Sequence, residues 1–376
     1  MNNIEEIKPK VKSTLRLFRL RDTIQLNSSG QSAEIADPTG SIGYLLDAMD
    51  GNTSVAELQF KVQQKYPTIT GDDVVLAIQQ MDSYGFLENA LFQNGSLLSE
   101  YELNRWERNI NFFGSFADLQ TNKYQLQAEL KNARVALLGL GGLGSHLLYD
   151  LVAVGIQHIR AVDFDTIVLS NLNRQILYTE ADLGRAKTEM AAERILAFNP
   201  HLDLEILSMR LGSVEDVLKV IDGCEYVLCV ADRPKMELIN WVNEACVRQG
   251  AILLNGGLDV QRGVYYTMIP GQTGCVACWR EQVLQHDALS NELIEERQRL
   301  QIGGENAAFV PLVTLVDGLM LSELIRLVTH IAPPVAAGRL MEIRFAAMEM
   351  RQAETWERLA QCPVCSGVTA RFGTVL

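Results

Sequence analysis

A chain of 376 residues can hold two or three domains and at least one large core. Its 48% hydrophobic and 21% charged residues are those of an ordinary globular protein, and no apolar run nears the ~20 residues of a membrane span. A net charge of -13, with no lysine- or arginine-rich block, argues against nonspecific binding to nucleic acid or an anionic membrane.

The start, MNNIEEIKPKVK, has no apolar stretch before a small-residue cleavage site, so it does not read as a secretory signal and a cytoplasmic protein is expected. Seven cysteines is an odd count, and four of them form two CxxC pairs. In a reducing compartment such pairs read as metal ligands before disulfides.

Residues 1–92 read as a small α+β domain. LFRLRDTIQLN alternates like a strand or hairpin, and SAEIADPTG continues it to a turn at Pro38 and Gly40. SIGYLLDAMDG has helical spacing and stops at Gly51. SVAELQFKVQQKY is a second helix, with Ser54 and Glu57 placed as a capping box. GDDVVLAIQQMDSYGFLEN gives a third helix, starting near Asp72 or Asp73, and then a closing strand. Strands, three helices and a closing strand make a winged-helix-like outline. The third helix, from Asp72 to Tyr84, carries no lysine or arginine, which disfavours DNA binding.

IGYLLDAMDGNTSVAEL and QMDSYGFLENA resemble the PqqD-like peptide-recognition domains, relatives of the pyrroloquinoline-quinone chaperone. That resemblance implies that residues 1–92 hold the leader of a ribosomal precursor peptide as an added strand, packed by the third helix. A dimerisation domain is the alternative.

Residues 93–133 read as a linker with helical character, in which NRWERNINFFGSF sets Arg105 and Arg108 beside Trp106, Phe112 and Phe113. Residues 134–376 alternate strands and helices. Strands are expected at 135–138, 159–163, 204–208, 226–230, 251–255 and 263–269. Helices are expected at Ser145 to Val154, Lys187 to Phe198, Val214 to Val220 and Met236 to Gln249. This is an α/β, Rossmann-like, mostly parallel sheet, with an antiparallel extension starting at GVYYTMIP. Residues 279–306 are polar and helix-prone, and 286–306 are expected to form a mobile segment over the site. An apolar helix follows at 309–330, then a strand around Leu340 to Phe345.

The chemistry begins at the strand-to-helix turn LGLGGLGS. Gly139, Gly141, Gly142 and Gly144 let a backbone approach phosphates at a helix N-terminus, a property shared by NAD, FAD and ATP sites. Asp163, 19 residues past Gly144, suits both ribose hydroxyls, and Asp165 is its rival. Asn171, Arg174 and Lys187 discriminate. Hydride transfer needs no such cationic pair, whereas breaking a bond between α- and β-phosphates does. Asp232, after the strand YVLCVA, sits where an open parallel sheet has its ligand crevice and suits a magnesium ion. Cys275, Cys278, Cys362 and Cys365 form CVAC and CPVC, two knuckles fit for a tetrahedral zinc site with no open position.

VALLGLGGLGS, VDFD, SNLNRQ, GRAK and VADRPKMELINWVN, in that order, closely resemble the ThiF-, MoeB- and ubiquitin-activating-like adenylating enzymes over roughly residues 100 to 370. NWVN and TGCVAC are closer to the peptide-modifying branch, the MccB of microcin biosynthesis and the pantocin (PaaA-like) enzymes, than to the sulfur-carrier activators. The resemblance implies ATP with magnesium as substrate, adenylation of a carboxyl group, release of pyrophosphate and a structural zinc. It implies that Asp163 holds the ribose, that Asn171, Arg174 and Lys187 hold the phosphates, and that Asp232 serves the metal. RWER resembles an arginine motif that reaches across a homodimer to the partner's γ-phosphate, which Arg108 matches, although Glu107 and Asn109 depart from it.

No cysteine lies between Trp279 and Cys362, so a covalent thioester is disfavoured. The expected activity is adenylation of a carboxyl (or carboxamide-derived) group in a precursor peptide, leading to cyclisation or bond formation in an antibiotic pathway. The alternatives are activation of a ubiquitin-like sulfur carrier, non-catalytic presentation of a leader to a cyclodehydratase, and, more distantly, a nicotinamide dehydrogenase.

Overall fold

The computed structural model describes residues 4–28, 31–234, 237–286, 292–293, 296 and 307–370. Most of the segment 286–306, expected to cover the site, therefore lies outside the described residues, as does Met236. Contacts divide the chain into two compact units, 1–128 and 129–376.

The first unit opens with β1 (Pro9–Val11), then a three-stranded antiparallel sheet of β2 (Arg16–Leu20), β3 (Thr23–Ser28) and β4 (Gln31–Ala36), with β3 in the middle. Ile24 and Leu26 of β3 are fully buried, because alternate residues of a central strand share one face. They form one core with apolar residues of α1 (Ser41–Ala48), α2 (Val55–Lys65) and α3 (Gly71–Ser83). The capping box at Ser54 and Glu57 is present. Helix α3 starts at Gly71, with Asp72 and Asp73 in its first turn as the sequence implied. Thr70 is its N-cap, with the Asp73 carboxylate back on the Thr70 N–H.

The closing strand, β5 (Leu87–Asn89), pairs with β1 and not with the hairpin sheet. A three-residue strand led by a proline has no alternation to read, so β1 is not legible in the sequence. Residues 93–128 bond into this unit. Lys12 donates to the Ser115 carbonyl at 3.1 Å, Asp82 accepts the Leu119 N–H at 3.0 Å, and Lys123 pairs with Glu88 at 3.3 Å. Within that stretch, Trp106 separates α4 (Glu100–Arg105) from α5 (Glu107–Gly114). It is buried with Leu98 and Ile110 in a small core of its own.

After α6 (Lys123–Asn132), the second unit builds an eight-stranded sheet among the described residues. β6 (Arg134–Leu138), β7 (His158–Asp163), β8 (Asp203–Ser208), β9 (Tyr226–Cys229) and the start of β10 (Ile252–Asp259) run parallel in the spatial order β10-β9-β6-β7-β8. Between them run α7 (Gly142–Val154), α8 (Lys187–Phe198), α9 (Val214–Ile221) and α10 (Glu237–Gln249). Strands β6 and β9 are buried almost throughout and read as near-continuous apolar runs, as strands covered on both faces must, while β7 is buried continuously from Ala161 to Asp163.

β11 (Arg262–Met268), β12 (Arg339–Arg344) and β13 (Glu349–Thr355) extend the sheet antiparallel from β10. The sequence missed β13, whose residues are mostly exposed and polar. Two further helices complete the unit, α11 (Val276–His286) and the apolar α12 (Val310–Thr329). Among the described residues, no helix is long and apolar enough to cross a membrane.

Candidate nucleotide site and cysteine centre

Strand order decides where the site lies. The chain winds from β6 outward to β7 and β8, then returns to the other side of β6 as β9 and β10. The connections leave β6 and β9 in opposite directions, so a crevice opens beyond their carboxyl ends. The glycine turn follows β6 and Asp232 follows β9, and both line one cleft there. Asp163, Asn171, Arg174 and Lys187 line the same cleft.

The four glycines divide by role. Gly139 has φ +102, and a side chain on it would meet the Ala231 backbone at 2.9 Å. A side chain on Gly144 would come within 1.9 Å of the Gly139 carbonyl, and Gly144 does not line the cleft. These two let strand and helix pack closely. Gly139 also lines the cleft, as do Gly141 and Gly142, where a side chain would meet Gln175 at 3.9 Å and Arg174 at 3.5 Å. No side-chain cap closes the start of α7, so its first N–H groups remain for an anion.

Asp163 ends β7 and is 9% exposed. One carboxylate oxygen accepts the Leu140 N–H at 2.7 Å, and the other accepts those of Phe164 and Asp165 at 2.8 Å each. An ionised carboxylate offers about four acceptor positions, so three are engaged in shaping the glycine turn. The Tyr178 hydroxyl holds the same turn by donating to the Leu140 carbonyl at 3.0 Å. Burial, helped by Asp163, pushes that phenol well above its ordinary range, so it stays a donor.

The loop after β7 carries the cations. Lys187 is the first residue of α8 and is buried, with its ammonium 3.1 Å from the Asp165 carboxylate. Asp165, the rival of Asp163 by sequence, is thus the lysine's partner. Arg174 rests its guanidinium on the Ser170 carbonyl at 3.0 Å and on Asn173 at 2.9 Å. Asn171 accepts the Val168 N–H through its side chain and the Arg174 and Gln175 N–H groups through its carbonyl, which curls the loop. His146 of α7 donates from Nε2 to the Arg174 carbonyl at 3.1 Å, since a carbonyl can only accept.

Asp232 is exposed at the cleft edge beside Arg233 and has no hydrogen-bond partner among the described residues. A carboxylate that no protein donor occupies, facing the cleft, fits a hard cation. Arg108, in the first unit on α5, is exposed.

Sequence reading missed His146, Tyr178 and Gln175 as site residues. Gln175 stood within the quoted SNLNRQ, but no spacing rule singles it out, and none marks residues such as His146 and Tyr178 that act by bracing a loop.

The four CxxC cysteines are buried and meet in space, their sulfurs within 4.8 Å of one another. Cys275 lies 3.7 Å from Cys362, Cys278 lies 3.4 Å from Cys365, and Cys275 lies 3.9 Å from Cys278. Zinc–thiolate bonds of ~2.3 Å in a tetrahedron place sulfurs ~3.8 Å apart, and disulfides at ~2.05 Å are excluded. The Leu359 N–H points at the Cys278 sulfur at 3.4 Å, a backbone donor of the kind that steadies a bound thiolate. The donor set fits zinc. Cys224, Cys229 and Cys246 are buried in the core.

Among solved structures, the chain is similar to Escherichia coli MccB, with a TM-score of 0.76 and 23% identity over 96% of this chain and 99% of that one. MccB has been crystallised with ATP, and with AMPCPP and MccA. PaaA gives a TM-score of 0.69 and 19% identity over 93% of this chain and 100% of its own. These likenesses establish a shared fold, and coverage this high includes most of the first unit.

By sequence, the chain is 31% identical over 245 residues to the sulfur carrier protein adenylyltransferase of Thermus thermophilus, spanning 64% of this chain and 84% of the relative. It is 28% identical over 275 residues to the molybdopterin-synthase adenylyltransferase of Salmonella typhimurium, spanning 71% of this chain and 98% of the relative. The ThiF family model matches residues 107–364, more than half of the chain and all of the glycine turn, cation loop and cysteine knuckles except the last cysteine, so this protein belongs to the ThiF family.

Proposed function

We propose that this enzyme adenylates a carboxyl group in a ribosomally made precursor peptide, and that a nucleophile of the peptide captures the acyl adenylate in an antibiotic-type pathway. The observation that carries the reading is the meeting of Arg174, Lys187 and Asp232 with a glycine turn in one crevice. One carboxylate oxygen attacks the α-phosphorus, the bond from α-phosphorus to the bridging oxygen breaks, and pyrophosphate leaves with the electron pair. The attacking carboxylate is already ionised, so no general base is required. The chain's part is positioning and charge stabilisation.

In this reading the open N–H groups of α7 and the backbone at Gly141 and Gly142 bind phosphate oxygens. Arg174 and Lys187 stabilise charge on the α-phosphate and the leaving pyrophosphate, and Asn171 and Asp163 orient the nucleotide. Magnesium, when bound with ATP, would neutralise phosphate charge, and Asp232 is the residue that would hold it. Zinc would be held by Cys275, Cys278, Cys362 and Cys365 as a structural tie. Arg108 is proposed to act across a homodimer. Residues 1–92 are proposed to bind the leader, a PqqD-like role supported by the MccB fold similarity and by the crystallisation of MccB with MccA.

The rival is adenylation of a sulfur carrier, which the Thermus and Salmonella relatives favour. ATP–pyrophosphate exchange separates the two. Exchange that rises on adding a precursor peptide, and not a carrier ending in Gly-Gly, is expected. Exchange supported by the carrier alone would give the rival the site.

A further inference from the structure

Gln175 is 3% exposed, yet its side-chain oxygen Oε1 has no hydrogen-bond partner among the described residues. Its main chain is fully engaged: the N–H goes to the Asn171 carbonyl at 2.9 Å, and the carbonyl accepts from Tyr178 at 3.3 Å. The residue lines the nucleotide cleft, with its amide beside Gly141. Its neighbour Arg174 is already turned to Ser170 and Asn173 and does not serve it. A buried acceptor without a donor is costly, because it has lost its water and gained nothing. A chain that keeps one, inside a cleft and within the loop that carries Asn171 and Arg174, keeps it for a donor that arrives with the ligand.

We propose that Gln175 is a further nucleotide-binding residue, whose amide oxygen accepts a hydrogen bond from the bound ATP. The proposal rests on the reading of this cleft as an ATP site. The chemistry narrows the donor. Phosphate oxygens only accept, and so does a carboxylate substrate. A bound nucleotide brings donors in its ribose hydroxyls, in its adenine amino group and in waters carried by its cation. Asp163 strengthens the case for a ribose hydroxyl, because three of its acceptor positions serve the backbone and one is left for two hydroxyls.

The test is a calorimetric cycle on the full-length protein with Gln175→Met, which removes the acceptor at nearly constant shape. In the absence of nucleotide the variant should melt at or above the wild-type temperature, since an unmet acceptor is gone. It should bind ATP with magnesium ~3–10-fold more weakly, the loss of one ordinary hydrogen bond. A residue that only supports the fold would instead lower the nucleotide-free melting temperature. If a ribose hydroxyl is the donor, the penalty vanishes with 2′-deoxy- or 3′-deoxy-ATP. If a cation-bound water is the donor, it persists with both and vanishes for ATP in EDTA. If the adenine amino group is the donor, the penalty persists under all four conditions and vanishes with purine riboside triphosphate, which lacks that group. Equal ATP affinity in wild type and Gln175→Met, or an equal penalty with that analogue as well, overturns the proposal. Gln175→Glu keeps an acceptor, so it should keep the discrimination between ATP and the analogue lacking the donor, and it serves if the methionine variant does not fold. Absence of ATP binding by the wild type would be a failure of the site reading itself, distinguishable from a failure of this proposal.

Discussion

Lys187 shows how much a single position can change its meaning between sequence and structure. A lysine opening a helix is ordinarily solvated, yet here it is 4% exposed and tied to Asp165 in the cleft. Replacing it with alanine should lower ATP–pyrophosphate exchange by ~10²–10³, as should Arg174→Ala, with the melting temperature nearly unchanged. Loss of folding without a selective loss of exchange would mark either residue as structural. The glycines allow a cleaner contrast. Gly144→Ala forces a carbon to within 1.9 Å of a carbonyl and should abolish folded protein, as seen by circular dichroism. Gly141→Ala has room and should fold while weakening ATP binding, because it changes the wall of the cleft alone. The sequence could nominate all four glycines equally, since the turn motif does not say which ones face a ligand and which face a strand.

At the scale of elements, apolar periodicity placed β6 to β11 and α7 to α10 within a few residues, because each carries a buried face on a fixed period. β1, β13 and the bracing of the cation loop were illegible for the converse reason. A short strand lacks a period, an exposed strand lacks apolar residues, and a loop held by His146 and Tyr178 is held by contacts distant in sequence. The CxxC knuckles were legible because chelation imposes a local spacing. Removing a bound metal with a chelator should lower the melting temperature of the second unit, and added zinc should restore it.

The antiparallel extension carries its own pH dependence. Glu342 of β12 is 1% exposed and is pulled down to about 2 by hydrogen bonds from Arg351, Arg344 and Arg262. A depressed carboxyl stabilises the fold above its ordinary value of 4.5, and that stability drains as pH falls toward 2. Glu342→Gln should therefore lower stability at neutral pH and flatten the acid limb of a denaturation profile between those values. An unchanged limb would mean that the arginine cluster contributes nothing. On α12, burial and the neighbouring Asp150 push the Asp317 carboxyl up to about 9. Stability is fullest below its ordinary 3.8 and declines as pH rises toward 9, so Asp317→Asn should raise the melting temperature at neutral and alkaline pH.

At the scale of the whole molecule, two units on one chain frame the substrate question. The family match begins at residue 107 and leaves residues 1–106, most of the first unit, outside it, while the likeness to MccB spans 96% of the chain. The composition of the chain could exclude nucleic-acid and membrane classes, and motif order could specify the chemistry. Neither could identify the peptide, because a leader bound by backbone pairing leaves little signature in the strand that receives it.

The central claim is that the bond between the α- and β-phosphates is broken by a peptide carboxylate. It is tested most directly with a precursor peptide whose carboxylates carry ¹⁸O, incubated with ATP and the enzyme, followed by mass spectrometry of the nucleotide and phosphate products. Adenylation and capture transfer one labelled oxygen into AMP and leave pyrophosphate unlabelled. Label in inorganic phosphate, or turnover of the peptide with unlabelled AMP, would contradict the account.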